Sequence, residues 1–429
     1  MKTNETQAMY EDLFSPCMIK MSHMLIERGD GPYVYLQSGE KYLDLVQGVA
    51  VNNLGHCHPE VVEAACDQMK KIIHGSLFLA NYPSIMEFAA TLKDALPEGL
   101  DMFFFSNTGT ESVEGALKLA RFTTKRSGTI ALRGSYHGRS MGAASLTTST
   151  VLFRKNYAPF LPQVYFAPFP YCYRCSFGKE EKTCELECLN YLKEDFKHII
   201  PKEDISALIF EPIQGEGGYI VPPVKYVKAL RELCNEQGLL LICDEVQTGV
   251  GRTGKMLAVE HFGITPDIVT MGKAVGGGFQ LGVVAASKEL MQKWTPGTHG
   301  TTFGGHPVAA AAGVVTLNII NNDDFLEDVT KKGKYFRSRL RSLAETYPEI
   351  GDVRGLGLMN AIEFVKDGKE PDTEKAMAVR DYFFEQNILI LPCGVNKNVL
   401  RFIPPLNISL DLLDRVIQTL KNGLAFLKP

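Results

Sequence analysis

The stretch from residue 239 to 278 reads LLLICDEVQTGVGRTGKMLAVEHFGITPDIVTMGKAVGGG. An apolar run, Leu239 to Cys243, stops on Asp244 and Glu245. A second, Ile268 to Met271, stops on Gly272 and Lys273, before the glycines at 276, 277 and 278. Apolar runs of this length suit strands buried on both faces of a parallel sheet. Ligands of open α/β sheets lie beyond the carboxyl ends of such strands. Asp244 and Lys273 are therefore expected to face one cleft. An amine able to form a Schiff base, and a carboxylate able to sit beside a pyridinium nitrogen, are the two groups that pyridoxal phosphate (PLP) requires.

Other strand ends add to the same cleft. Asp101 to Phe105 is a short apolar strand, followed by Ser106-Asn-Thr-Gly-Thr-Glu111 and a helix with Val113, Ala116, Leu117 and Ala120 on one face. Thr108 and Glu111 have capping-box spacing. The free N–H groups of that helix start form a general anion cradle, although a capped helix without a ligand fits equally well. Thr129 to Leu132 precedes Arg133-Gly-Ser-Tyr-His-Gly-Arg139. The face of Tyr136 can stack on a pyridine ring, and the Arg139 guanidinium can take a carboxylate through two bonds. The plainer alternatives are a half-buried tyrosine and a surface ion pair. His137 reads as a residue that orients the loop. Ala207 to Phe210 ends on Glu211, and Glu216 follows in a Gly-rich loop; Glu211 reads as a brace. The strand Asn398 to Phe402 carries Arg401.

These residues need a scaffold of alternating strands and helices. Helical periodicity covers 60–73, 226–237, 308–321, 324–347 and 411–427; further strands are expected at 31–36, 351–364 and 388–392. The pattern predicts an α/β fold with a mostly parallel central sheet, helices on both faces, and a smaller α+β domain. We divide it into an N-terminal segment (1–60) belonging to the smaller domain, a large domain (61–322) and a C-terminal small domain (323–429). A chain of 429 residues with 45% hydrophobic and 22% charged residues is long enough for two cores. A net charge of -4 gives no basic surface for nucleic acid. The apolar run from Val308 to Ile320 is too short to cross a bilayer, and the first residues lack a secretory apolar core, so a cytoplasmic protein is expected. Ten cysteines in such a chain read as mostly reduced. Four of them, Cys172, Cys175, Cys184 and Cys188, fall in a polar insertion at about 170–190 with C-x2-C and C-x3-C spacing. That spacing suits a structural zinc ion or an iron–sulfur cluster; a loop of free thiols is the alternative.

From about Tyr33 onward the sequence resembles the class III (omega) aminotransferases, a group of fold-type I PLP enzymes. The motif at 239–278 carries the resemblance. Among subfamilies it most resembles the bacterial 4-aminobutyrate aminotransferases. The resemblance implies that Lys273 holds the cofactor aldehyde and that Asp244 faces the ring nitrogen. It places Gly109 and Thr110 at the phosphate, Tyr136 and Val246 on the ring faces, and Gln247 on the phenolic oxygen. Thr302 would reach the phosphate of a neighbouring subunit, which implies a homodimer with shared sites; a tetramer is compatible. Arg139 would take the distal anion of an ω-amino acid donor, and Arg401 the α-carboxylate of glutamate or 2-oxoglutarate. Glu216 would neutralise Arg401 when no α-carboxylate is present. Val49 and Phe78 would wall the substrate space. Phe78 stands where relatives often carry glutamine, so taurine, β-alanine or 5-aminovalerate compete with 4-aminobutyrate as donor. A racemase or aminomutase of the same fold is the alternative activity. A PLP-binding regulator is a weaker one, for want of a DNA-binding module.

Overall fold

The computed structural model describes residues 3–427; the outermost ends of the first and last expected domains lie outside the described residues. Its centre is a seven-stranded sheet. The strands in spatial order are Met102–Ser106, Gly282–Ala286, Ile268–Met271, Leu240–Asp244, Ile205–Phe210, Gly128–Leu132 and Val164–Ala167. All run parallel except Gly282–Ala286, which pairs antiparallel with both of its neighbours.

Alternate residues of each strand enter two different cores, which explains why the runs are apolar throughout rather than alternating. Leu208, Phe210, Leu241, Cys243, Val269 and Met271 pack with Tyr226, Leu230 and Leu233 of the helix Val224–Gln237. Ala207, Ile209, Ile242 and Ile268 pack with Val113, Leu117 and Ala120 of the helix Gly109–Thr124. Burial of a large aliphatic side chain is worth about 1.5–3 kcal/mol, so this double-sided packing fixes the register of every strand end.

The apolar helix Pro307–Ile320 packs against the helices Pro59–Lys71 and Pro83–Ala95 and against the turn Lys273–Gly276. Gly313 permits that last approach, since a Cβ there would stand 2.8 Å from the Val275 carbonyl oxygen. Two smaller four-stranded sheets complete the fold. One joins Ile350–Leu356, Met359–Phe364, Val399–Phe402 and Leu391–Cys393; the other joins Ile26–Asp30, Tyr33–Leu36, Lys41–Asp44 and Ile388–Leu389. Residues near both ends of the chain thus share a sheet. No helix among the described residues is long and apolar enough to cross a membrane.

Several expectations change in detail. The run 351–364 is a hairpin of two strands rather than one, and 388–392 divides between two sheets. The capping box at the start of the Gly109–Thr124 helix is half made. Thr108 Oγ1 accepts from the Glu111 N–H at 3.3 Å, but Glu111 Oε2 turns to the N–H and side-chain amide of Asn107, both at 2.8 Å.

Candidate active site

The carboxyl ends of the parallel strands open into a cleft lined by Gly109, Thr110, Tyr136, His137, Gly138, Glu211, Glu216, Asp244, Val246, Gln247 and Lys273. Every one of these residues ends or follows a strand of the large sheet. The expected pair is there. Asp244 is buried, with Oδ1 accepting from the Val246 N–H at 3.1 Å and from Thr270 Oγ1 at 3.2 Å. Its Oδ2 lies 2.7 Å from Nδ1 of His137, which is buried too. His137 therefore does more than orient its loop: it fixes the carboxylate itself. Glu245, the next acid, points away and binds Thr248 and the Val259 N–H.

Lys273 opens the turn after the strand Ile268–Met271 with a φ of +50°. A lysine in that left-handed region is strained by roughly 1–3 kcal/mol, which marks a backbone held for a purpose. Burial, and then the Arg401 guanidinium, pull its amine down to about 8, against the attraction of Asp244, Glu211 and Glu216.

At the opposite wall the helix Gly109–Thr124 presents its first turn. Thr108 takes the N–H groups of Glu111, through Oγ1, and Ser112, through its carbonyl. The N–H groups of Gly109 and Thr110 precede them and have no intrahelical acceptor. Gly109 is required: a Cβ there would lie 2.6 Å from Val246 Cγ1. Thr110 Oγ1 bonds the Ser140 hydroxyl at 2.7 Å.

Glu211 ties the cleft loops together. Its Oε1 accepts from the Tyr136 N–H and its Oε2 from the Gly215 N–H, both at 2.8 Å. Burial, with Asp244 nearby, pushes its carboxyl up to about 7 against the pull of His137. Arg401 is buried on the strand Val399–Phe402, and neither its Nε nor its Nη1 has a hydrogen bond of good geometry among the described residues, so its link to Glu216 is an ion pair. Its Nη1 lies 3.0 Å from Glu216 Oε2, and Glu216 Oε1 is 3.2 Å from Lys397 Nζ. Lys397 was not legible beforehand, because a lysine on an exposed turn reads as a solvated charge.

The residues present fit PLP. An anion cradle, a carboxylate, a lysine, the aromatic ring of Tyr136 and the apolar side chain of Val246 surround one cleft. Two buried polar atoms of its lining residues, Gln247 Oε1 and His137 Nε2, have no hydrogen-bond partner among the described residues. A buried polar group left unpaired costs about 1–3 kcal/mol, so these atoms call for a polar ligand.

Five expected site residues do not line this cleft in their own chain; Arg401 reaches it only through its pair with Glu216. Arg139 is exposed, its guanidinium 4.3 Å from the centre of the Phe153 ring. Val49 lies partly buried in a left-handed turn with a φ of +63°. Thr302 is exposed on a loop, and Phe78 is 93% exposed.

The metal expectation for Cys172, Cys175, Cys184 and Cys188 is corrected. The four side chains share the wall of one small cavity, but among the described residues no three His, Cys, Asp or Glu are arranged to hold a metal ion. Cys184 instead donates to Glu187 Oε2 at 2.9 Å. Burial pushes the Cys172 thiol up to about 11 and the Cys188 thiol up to about 12.

The sequence model of the family described as Aminotransferase class-III matches residues 16–424. A probable 4-aminobutyrate aminotransferase of Bacillus subtilis is 35% identical over 403 residues, covering 93% of this chain and 92% of its own. A leucine/methionine racemase of Thermococcus litoralis is 37% identical over 387 residues, covering 90% and 87%. An amine transaminase from an uncultivated Pseudomonas species, solved in a PLP-bound form, superposes with a TM-score of 0.89 at 29% identity, covering 97% of this chain and 99% of that one.

Proposed function

Since the chain belongs to the class III aminotransferases and carries their PLP fold, we propose that it moves the amino group of an ω-amino acid to 2-oxoglutarate, giving an aldehyde and glutamate. Donors considered are 4-aminobutyrate, 5-aminovalerate, β-alanine and taurine. The observation that carries this reading is the Arg401–Glu216 pair at 3.0 Å beside the cofactor cleft. A buried guanidinium left without an anion is costly, so something must hold it whenever the substrate brings no α-carboxylate. Glu216 does so, and a dicarboxylate replaces it. An enzyme that alternates two substrates needs such an exchangeable anion. A racemase, which turns over one amino acid, does not.

PLP, when bound, supplies an aldehyde to carry the amino group and a ring that accepts the electrons of the adjacent C–H bond. Gly109 and Thr110 hold its phosphate through their N–H groups, and Asp244 faces its ring nitrogen. Tyr136 and Val246 enclose the ring, with Gln247 at its phenolic oxygen. Lys273 Nζ would hold the cofactor aldehyde and, once freed by the donor amine, would carry a proton from the donor carbon to the cofactor. Its depressed basicity suits it to both tasks near neutral pH. Arg139, at the mouth, receives the distal anion of either substrate.

In the same reading, residues 61–322 form the cofactor domain and residues 1–60 with 323–429 the smaller one. The assembly is a homodimer in which Thr302 of each protomer completes the cleft of the other. Incubating the enzyme with each donor and 2-oxoglutarate, then measuring glutamate, tests the activity. At least one ω-amino donor should give stoichiometric glutamate. Loss of optical rotation from an α-amino acid, with no glutamate formed from any donor, would establish the racemase reading instead.

A further inference from the structure

Glu216 is held by two cations at once. Arg401 Nη1 approaches Oε2 from the buried side at 3.0 Å, and Lys397 Nζ approaches Oε1 from the solvent side at 3.2 Å. The turn carrying Lys397 is fastened to the same residue. The Gly394 N–H donates to the Glu216 carbonyl oxygen at 2.9 Å, and the Lys397 N–H closes the turn on the Gly394 carbonyl oxygen at 3.0 Å. Lys397 adopts a φ of +55° in this turn, a conformation unfavourable for a residue with a side chain. Main chain and side chain together thus hold an ammonium against the outer oxygen of Glu216. Its neighbour Arg401 lies on the strand that follows the turn.

We propose that Lys397 is the outer anchor of Glu216 and so a positioning residue that sets the balance between substrates with and without an α-carboxylate. The inference rests on the reading of Glu216 and Arg401 given above. In the observed arrangement one carboxylate is divided between two cations. When a substrate α-carboxylate takes Arg401, Glu216 loses its buried partner and keeps Lys397 alone. The interaction with Lys397 is then undivided, and the repulsion between Lys397 and Arg401 is offset by the incoming anion. Lys397 therefore favours the displaced state of Glu216 over the paired one. A residue shifts an equilibrium only through such a difference between its two states.

The test compares half-reactions by single-turnover absorbance of the PLP-loaded enzyme. Lys397→Met should weaken apparent affinity for glutamate and 2-oxoglutarate about two- to fivefold, the range for an exposed ion pair. The half-reaction with 4-aminobutyrate or 5-aminovalerate should change less than about twofold on the same scale. Lys397→Arg should restore the dicarboxylate affinity. The difference between wild type and Lys397→Met should shrink as salt rises from about 0.05 to about 0.5 M, which a packing role would not produce. In a Glu216→Gln background, Lys397→Met should have no further effect. Equal losses in both half-reactions, no loss in either, or an undiminished effect without the Glu216 carboxylate would each overturn the inference. Failure of the underlying reading shows separately: Arg401→Lys would then lower both half-reactions equally, and the inference would fall with it.

Discussion

Lys273 carries the reaction only if its amine can lose a proton near neutral pH, and its surroundings arrange this. Removal from water is the larger influence and Arg401 the second, together bringing the amine from its usual 10.5 to about 8. Because the neutral form is the one that attacks an aldehyde, PLP uptake by the apoenzyme should accelerate as pH rises through about 8 and level off above it. An ordinary lysine would keep accelerating toward pH 10.5. Arg401→Met removes a cation and should move the midpoint upward; Glu216→Gln removes an anion and should move it downward. Stopped-flow absorbance of reconstitution from about two units below to about two units above the midpoint of about 8 measures this. A midpoint unmoved by either substitution would remove the electrostatic account. At this scale the sequence was informative where chemistry follows a pattern. Asp244 and Lys273 could be placed because each ends an unbroken apolar run. Partners set by the fold could not. His137 and Asp244 are 107 residues apart, and their strands are not even neighbours, since Ile205–Phe210 lies between them. The four cysteines show the opposite failure. Their spacing is compatible with a metal, but spacing carries no information about where each sulfur turns, and Cys184 turns to Glu187.

The elements explain why so few residues suffice to shape the cleft. The long helices and most large-sheet strands were readable because hydrophobic periodicity dictates them. The antiparallel strand Gly282–Ala286 was not, although it is fully buried. Its five small residues follow a glycine cluster and precede a polar segment, so nothing local separates a strand from a loop. The helices Pro83–Ala95 and Thr373–Glu385 were missed although each carries a buried stripe at helical spacing, Ile85, Phe88, Leu92 and Ala95 in one and Ala376, Val379 and Phe383 in the other. That missing strand matters for the site. Pairing Gly282 with Ser106 aligns the end of Met102–Ser106 with the rest of the sheet, so the Gly109–Thr124 helix starts level with Asp244 and Lys273. The contact of Gly109 with Val246 then sets how closely the anion cradle approaches the ring site. Gly109→Ala would drive a methyl to 2.6 Å from Val246 Cγ1, forcing the helix start and the ring wall apart. PLP affinity should fall by about tenfold or more, a loss of the order of one well-made hydrogen bond to a charged group. Far-ultraviolet circular dichroism should stay unchanged, because the residue begins the helix rather than interrupting it. Equilibrium dialysis against PLP checks the first part; wild-type affinity would show that the contact relaxes without consequence.

The whole molecule exposes apolar side chains that a lone globular chain normally covers. Phe78 is 93% exposed, Val151 83%, Leu79 77% and Phe303 55%, and Phe303 adjoins Thr302, itself exposed. In the proposed homodimer a two-fold contact would cover these side chains and bring each Thr302 to a second cleft, since an isologous interface repeats every contact twice. The consequence is a complementation that no monomer can produce. Lys273→Ala destroys its own cleft but still supplies Thr302 to its partner. Thr302→Lys keeps Lys273 but gives its partner an obstructed phosphate site. Each homodimer is inactive, whereas a heterodimer has one cleft with both wild-type residues. Co-expressed in equal amounts, the two variants should form heterodimers as half of all dimers and so recover about a quarter of wild-type activity. Sedimentation should give twice the 47.5 kDa chain mass. Activity of the mixture no higher than that of its two parents, or full turnover by a species of single-chain mass, would rule out the shared cleft.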